Sequence, residues 1–361
     1  MNIQEGINTV ASNQSLDQKE MSSIMSEILE GNATDAQIGA FLIGLSMKGE
    51  TIEEVLGAVE VMRRLSAKVD TDLPILVDTC GTGGSGIGIF NVSTASAFVA
   101  SQCGAKVAKH GNRSATRKSG SADLLEQAGV SLALKPNEVA DCIKNIGLGF
   151  MFAPSHHSAM RHVVGPRREI AQKSIFNILG PLTNPASATR QVMGVYNKRW
   201  MNPIANVLKE LGSEHILIVH SQDGLDEISI ASATSITEMK DGKIFDYEIT
   251  PEDFGFKTSS LKGLEVNSPQ ESLELVHSAL TGQREEAGAM ISMAAGAALY
   301  VSEVSDSLKS GINLAHECVN DGGGIEKLNQ LVEYSSKFLS LIHISEPTRR
   351  YAISYAVFCL K

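Results

Sequence analysis

The chain lacks the long apolar segment that a membrane-spanning helix requires. In its 361 residues, no hydrophobic run approaches the roughly 20 residues needed to cross a bilayer. The opening MNIQEGINTV also has neither the basic start nor the apolar block of a secretory signal peptide. These absences predict a cytoplasmic protein that has no membrane partner.

Paired cysteines are missing as well. The five cysteines show neither a Cys-x-x-Cys pair nor another zinc-ligand spacing, and no His-Glu-x-x-His motif occurs. We therefore expect neither a disulfide framework nor a zinc site. We predict reduced thiols, most of them buried: Cys80, Cys103, Cys142, Cys318 and Cys359.

Excess positive charge is absent too. The formal net charge is -10 at pH 7, so the molecule as a whole should repel nucleic acid. Any basic cluster must then be explained as a local site. With 43% hydrophobic and 20% charged residues, the chain can bury a full core, and its length suggests two domains or one domain with a large appendage.

Helix-start signals fill the first 70 residues. A hydroxyl residue followed three positions later by Gln or Glu marks a capping box, and we assign three: Ser15 with Gln18, Thr34 with Gln37, and Thr51 with Glu54. These starts predict a small helical domain over residues 1–70, joined by part of residues 155–185.

Over residues 71–338 the pattern changes to short aliphatic runs that alternate with helical stretches. This alternation predicts an α/β domain with a mostly parallel central sheet. Asp241-Gly242, between two further strand-like pieces, predicts an antiparallel hairpin at one edge. The predicted parallel strands are Ile75–Val77, Lys106–Lys109, Leu148–Phe152, Gln191–Tyr196 and His215–His220.

The last segment, residues 339–361, differs abruptly in composition from what precedes it. LSLIHISEPTRR followed by ISYAVFCL resembles the conceptual translation of a sequencing adapter, so we expect a non-native tail. Its His343 and Cys359 then carry no function. The alternative is a genuine C-terminal strand.

A glycine-rich turn follows the first predicted strand. Four glycines occur within six residues from Gly81 to Gly86, followed by Asn91, Ser93 and Thr94. Glycines let the backbone approach a ligand closely, and the N-terminus of a following helix attracts anions, so the segment predicts a phosphate site. The alternative is a plain connection between strand and helix.

Cations and hydroxyls cluster after the second predicted strand, from Lys109 to Ser121. Their position at the carboxyl end of a strand is where open α/β sheets bind ligands. Lys and Arg can bind phosphate oxygens, and Ser119 and Ser121 add donors. The alternative is a solvated basic loop.

Two further segments carry candidate ligands. The acids of Asp223–Glu227 follow a strand and could hold Mg²⁺ that bridges to phosphates, although adjacent acids in a turn are often only solvated. In residues 153–168, the histidines fit structural roles, whereas the guanidinium fork of Arg167 matches a carboxylate. FNILGPLTNP reads as a rigid turn segment.

Taken together, these motifs resemble the anthranilate phosphoribosyltransferase family, in the right order, over about residues 1–338. They are DTCGTGG, NVST, KHGNR with KSGSADLLE, FAPSHH, FNILGPLTNP and DGLDEIS. The resemblance implies a small helical domain plus a larger α/β domain of the nucleoside phosphorylase and phosphoribosyltransferase type. It also implies transfer of phosphoribosyl from phosphoribosyl pyrophosphate to anthranilate in tryptophan biosynthesis, with Mg²⁺, by a homodimer formed through the helical domain.

The resemblance further implies roles for individual residues. It assigns phosphoribosyl pyrophosphate to Gly81, Gly84, Asn91, Ser93, Thr94, Lys109 and Ser121, and anthranilate to Asn112 and Arg167. Further substrate-binding residues are expected in the same loops: Ser85, Ile89, Val92, His110, Gly111 and Arg113. Ser93, Asp226 and Glu227 match the metal ligands, and Lys109, Asp226 and Glu227 are the expected catalytic residues.

Three departures from the family pattern stand out. Ser85 replaces a common aspartate, Arg117 replaces a small residue, and Gln172-Lys173 replaces an Ile-Arg pair. None removes an expected phosphate or metal ligand. One alternative function is that of a nucleoside phosphorylase, which needs no arginine for anthranilate. Another is that of a non-catalytic nucleic-acid binder, which would show a basic surface and lack the DGLDE acids.

Overall fold

The computed structural model describes residues 1–114 and 118–338. The predicted tail, residues 339–361, and Arg117 lie outside the described residues. Among the helices of the described ranges, none combines the length and hydropathy of a membrane-spanning segment.

Four helices form the N-terminal bundle: α1 (Ile3–Ala11), α2 (Gln18–Leu29), α3 (Asp35–Lys48) and α4 (Ile52–Leu65). The capping boxes at Thr34 and Thr51 are confirmed. The box at Ser15 is wrong, because α2 is capped by Asp17: its carboxylate accepts from Glu20 N at 2.8 Å, and Glu20 accepts from Asp17 N at 3.0 Å. An acidic cap also interacts favourably with the helix dipole.

A single seven-stranded sheet forms the centre of the α/β domain, with strand order β3-β2-β1-β4-β5-β6-β7. The first five strands are parallel, and the last two are antiparallel, as the Asp241-Gly242 turn predicts. The fold class is therefore confirmed. The strands are β1 (Val77–Gly81), β2 (Val107–Gly111), β3 (Leu148–Phe152), β4 (Arg190–Gly194), β5 (His215–Ser221), β6 (Thr234–Lys240) and β7 (Lys243–Ile249).

The first strand is displaced from its predicted position. We expect Ile75–Val77 from its apolar side chains, but β1 begins at Val77 and continues through Asp78 to Gly81. Asp78 fits an inner strand because its carboxylate accepts hydrogen bonds from His110 N at 3.2 Å and from Asn184 Nδ2 at 2.7 Å. A buried polar group is tolerated when its hydrogen bonds are made.

Helices connect the strands and cover both faces of the sheet. They are α5 (Val92–Gln102), α6 (Ser121–Gln127), α7 (Pro136–Ile146), α8 (Ala153–His156), α9 (Arg161–Ile170), α10 (Phe176–Leu179), α11 (Met201–Glu210), α12 (Pro269–Leu280), α13 (Glu285–Val301) and α14 (Leu308–Asn320), and residues 323–338 are also helical. Because side chains alternate along a strand, β4 contributes to two cores. Met193 packs with the bundle, α10 and α11, whereas Val192 packs with α5 and α13.

Candidate active site

A cleft of about 600 Å³ lies where the carboxyl ends of β1, β2 and β5 meet the start of α5 and one side of α9. Most of the residues expected to bind substrate or metal line this one cleft. They are Gly81, Gly84, Asn91, Ser93, Thr94, Lys109, His110, Gly111, Asn112, Arg113, Ser121, Arg167, Asp226 and Glu227.

Three of the expected residues do not line the cleft. Ile89 and Val92 are 2% and 0% exposed, and their side chains pack in the core beneath the sheet. Ser85 lies within the glycine turn and is half-buried. The apolar character of Ile89 and Val92 accounts for their inward orientation, because burial removes their surface from water.

The glycine turn is fixed to the end of β4. Thr82 N donates to Gly194 O at 2.9 Å, and Thr82 Oγ1 accepts from Tyr196 N at 3.0 Å. Gly83 and Gly84 have φ values of 64° and 82°, which side chains with a Cβ rarely adopt. The turn therefore presents backbone to the cleft in a defined conformation.

The start of α5 offers a site for an anion. Asn91 does not cap the helix through its side chain; instead its Oδ1 accepts from Ser119 Oγ and Ser272 Oγ, each at 2.7 Å. Thr94 Oγ1 lines this end of the cleft and is buried without a hydrogen-bond partner among the described residues. A helix N-terminus with an unsatisfied hydroxyl suits a phosphate oxygen.

Lys109 on β2 lines the cleft, and its side chain is buried. Burial lowers its pKa, and the neighbouring carboxylate of Asp78 opposes that shift. Lys109 Nζ also donates to Thr79 O. Burial in turn raises the pKa of Asp78 to about 6. The cation thus lies close to the sheet, held by the Thr79 carbonyl and favoured by two carboxylates, Asp78 and, more weakly, Glu227.

Two histidines form a neutral pair on the cleft wall. The rings of His110 and His157 are 5.1 Å apart between centroids. Burial lowers the pKa of His110 well below its usual range and that of His157 to about 4. Their Nε2 atoms are buried and unpartnered within the part of the chain that the structure describes. At neutral pH both rings are uncharged.

Arg113 lines the cleft but is held by acids of α6. It forms ion pairs with Asp123 at 2.9 Å and Glu126 at 2.7 Å. Nearby, Ser121 Oγ donates to Asn112 O at 3.2 Å. Much of the positive charge of Arg113 is therefore balanced within the protein, and its main structural effect is to fix the loop against α6.

The acidic loop after β5 is ordered by its first member. Asp223 accepts from Ser221 Oγ, from Ser229 Oγ at 2.5 Å, and from Leu225 N at 3.1 Å. Asp226 is 3% exposed and lines the cleft with the half-buried Glu227. Asp223 shapes the loop, and Asp226 and Glu227 face the cleft.

Arg167 lines the cleft from α9. Its guanidinium carbon lies 5.3 Å from the centroid of the Phe176 ring, and burial lowers its pKa. Among residues 1–114 and 118–338, no carboxylate lies within 4.0 Å of it. A stacked, partly desolvated guanidinium with no acidic partner there is suited to a carboxylate ligand.

Comparison with known proteins matches both parts of the chain. Residues 4–66 match the helical bundle domain of a glycosyl transferase family, and residues 73–325 match the α/β domain of that family. The chain is 54% identical to the anthranilate phosphoribosyltransferase of Ectopseudomonas mendocina over 342 residues, which cover 94% of this chain and 98% of that protein. This chain belongs to the anthranilate phosphoribosyltransferase family.

Other members of the family also match this chain over nearly its whole length. The enzyme of a Marinomonas species is 53% identical, over 94% of this chain and 99% of its own. The crystal structure of anthranilate phosphoribosyltransferase from Thermus thermophilus matches with a TM-score of 0.86 at 35% identity, covering 92% of this chain and 99% of that one. The Saccharomyces cerevisiae enzyme in complex with phosphoribosyl pyrophosphate and Mg matches with a TM-score of 0.84 at 26% identity, covering 93% and 98%.

Sequence reasoning missed four residues that shape the cleft in this family member. Asp78 and Asn184 form a buried hydrogen bond beneath Lys109, Gly194 contacts the acidic loop, and Lys173 contacts the glycine turn. Asn184 belongs to FNILGPLTNP, which the sequence indicates only as a rigid turn segment. All three contacts join segments far apart in sequence.

Proposed function

We propose that this cleft performs the reaction that gives the family its name. The phosphoribosyl group moves from phosphoribosyl pyrophosphate to the amine of anthranilate, and diphosphate is released. One observation carries the proposal: Lys109, the start of α5 and the Asp226-Glu227 pair line a single cleft that also contains Arg167. Groups for a diphosphate, a hard cation and an aromatic acid are thereby brought together.

The donor set fits Mg²⁺. No cluster of three or more His, Cys, Asp or Glu side chains suited to a metal occurs in the described residues, which argues against an all-protein cage. Two carboxylates, Asp226 and Glu227, with the Ser93 hydroxyl suit a cation that keeps several waters and is shared with substrate phosphates. When bound there, Mg²⁺ would supply positive charge to the diphosphate oxygens.

The protein groups at the diphosphate end stabilise the leaving group. Negative charge accumulates on diphosphate as its bond to ribose C1 breaks. Lys109, Thr94 and the N-terminus of α5 line the cleft, so a cation, a hydroxyl and backbone N–H groups are available to stabilise that charge. Removing one such donor typically lowers turnover on the order of 100-fold.

At the other end, Arg167 and Asn112 bind and orient anthranilate. The arginine binds the carboxylate, which directs the amine towards ribose C1. The amine nitrogen carries a lone pair, so its attack demands no strong base. Because His110 and His157 are neutral, they can border an aromatic amine without adding charge.

Assembly and location belong to the same proposal. We expect a homodimer formed through the helical domain and a cytoplasmic location, as the resemblance implies. Light scattering of the purified protein measures the mass directly: two chains support the dimer, and one chain contradicts it.

The reaction is tested with two substrate pairs. The protein is incubated with Mg²⁺, phosphoribosyl pyrophosphate and anthranilate, and the change in fluorescence is followed. A parallel reaction contains thymidine and inorganic phosphate, and released base is measured. Consumption of anthranilate with diphosphate release supports the proposal, whereas release of thymine alone supports a nucleoside phosphorylase.

A further inference from the structure

Lys173 joins the helical side of the cleft to the glycine turn. It lies in the link between α9 and α10, and its Nζ donates to Gly84 O at 3.0 Å. The same Nζ is 3.8 Å from the centroid of the Tyr196 ring. Its backbone carbonyl accepts from Ser46 Oγ on α3 at 3.5 Å. A single residue therefore contacts both the bundle and the phosphate-binding turn.

The ammonium group of Lys173 contacts a carbonyl and an aromatic ring. Within residues 1–114 and 118–338, no carboxylate lies within 4.0 Å of its Nζ. An ammonium group has three donors, and the Gly84 carbonyl uses one of them. Arg113, which lines the same cleft, instead forms ion pairs with two acids, so its charge is already balanced within the protein.

The surrounding groups fix where this cation lies. Tyr196 N donates to Thr82 Oγ1 within the glycine turn, so the residue whose ring contacts Lys173 is itself hydrogen-bonded to the turn. A Cβ on Gly84 would lie 3.5 Å from Lys173 Cε, which shows how closely the lysine stem follows the turn. Because the turn lines the cleft with Lys109, the two lysines reach the same ligand space from different parts of the fold.

We propose that Lys173 is a second diphosphate-binding cation, which holds the glycine turn through Gly84 while it donates to the diphosphate of the phosphoribosyl donor. This inference rests on the proposed function, because it assigns a residue to the donor end of that reaction. It predicts that Lys173 affects the phosphoribosyl donor and free diphosphate, and leaves anthranilate binding unchanged.

The test uses three variants. Lys173→Met removes the charge and keeps the length of the side chain, and Lys173→Arg keeps both charge and donors. Lys209→Met, on the exposed side of α11, removes one positive charge elsewhere. For each protein, calorimetry measures the dissociation constant of inorganic diphosphate with Mg²⁺, and kinetics measure KM for both substrates.

We expect Lys173→Met to weaken diphosphate binding and raise KM for the phosphoribosyl donor about 10- to 100-fold, the effect of losing a hydrogen bond to a charged group. KM for anthranilate should not change. Lys173→Arg should recover most of the loss, and Lys209→Met should behave like the wild type.

The inference is overturned if Lys173→Met binds diphosphate as tightly as Lys209→Met. It is also overturned if KM rises equally for both substrates, which would indicate a structural role only. If the wild-type protein converts no anthranilate, the proposed function fails, and the diphosphate titration still decides the role of Lys173.

Discussion

Gly194 at the end of β4 lies directly against Asp226 in the acidic loop. A Cβ atom on Gly194 would be 1.8 Å from the Asp226 carbonyl oxygen, which is far shorter than any nonbonded contact. The carbonyl of Gly194 also accepts from Thr82 N in the glycine turn. Glycine is required here by the lack of space for a side chain and not by the backbone conformation. This one residue contacts both loops that we assign to the diphosphate and its cation.

The first prediction concerns this contact. Gly194→Ala should displace Asp226, because the Cβ meets backbone, which cannot rotate away. We expect turnover to fall about 100-fold, the effect of losing one preorganised electrostatic group. The measurement is the rate of anthranilate consumption at increasing Mg²⁺, and the Mg²⁺ requirement should rise.

Gly39→Ala on α3 is the matched control. Its Cβ would find nothing nearer than Ile170 at 3.9 Å, so the same added methyl group should leave turnover intact. Full activity of Gly194→Ala with an unchanged Mg²⁺ requirement would show that the position of Asp226 does not matter.

The sequence predicts the fold well because its signals are local. Alternation of apolar runs with helical stretches indicates the parallel strands, and Asp241-Gly242 indicates the hairpin, whose two residues have φ values of 51° and 71°. The prediction for β1 stops at Val77 and misses the rest of the strand because Asp78 is polar. Its burial depends on Asn184, which follows over a hundred residues later in the chain.

The site is predictable only in part, because some of its contacts join residues that are distant in sequence. Loops rich in Gly, Lys and Asp at strand ends indicate a phosphate site, and the cleft brings those loops together. A close approach such as Gly194 to Asp226 leaves no local pattern in the sequence. The contact of Lys173 with Gly84 likewise depends on how the bundle packs on the sheet.

Arg167 gives the second prediction. Arg167→Ala should raise KM for anthranilate about 10- to 100-fold, because a charge-assisted pair with the carboxylate is lost. KM for the phosphoribosyl donor should change little. Arg167→Lys should recover only part of the affinity, since an ammonium group cannot bind a carboxylate through a planar fork. Equal effects on both substrates would contradict the assignment.

Asp78 gives a prediction about pH. Burial lowers the pKa of Lys109, and the Asp78 carboxylate is the largest of the charges that raise it, ahead of Cys80 and Glu227, so Asp78→Asn removes the main opposition to burial. The pKa of Lys109 should then fall further, and its positive charge should be lost at a lower pH. We expect the basic limb of kcat/KM for the phosphoribosyl donor to move to lower pH.

The control for this experiment is Asn184→Ala. It removes the hydrogen bond from Asn184 Nδ2 to Asp78 but keeps the carboxylate charge beside Lys109. Its basic limb should stay near that of the wild type at high pH. If the pH profile of kcat/KM for Asp78→Asn coincides with that of the wild type, Asp78 does not control the charge of Lys109.

The central claim is that Asp226 and Glu227 hold the cation that the donor diphosphate shares. The most direct measurement is the Mg²⁺ dependence of anthranilate consumption in the wild type and in Asp226→Asn with Glu227→Gln. We predict that turnover of the double variant collapses at least about 100-fold and that excess Mg²⁺ rescues it poorly. A double variant with wild-type turnover and the same Mg²⁺ dependence would contradict the account.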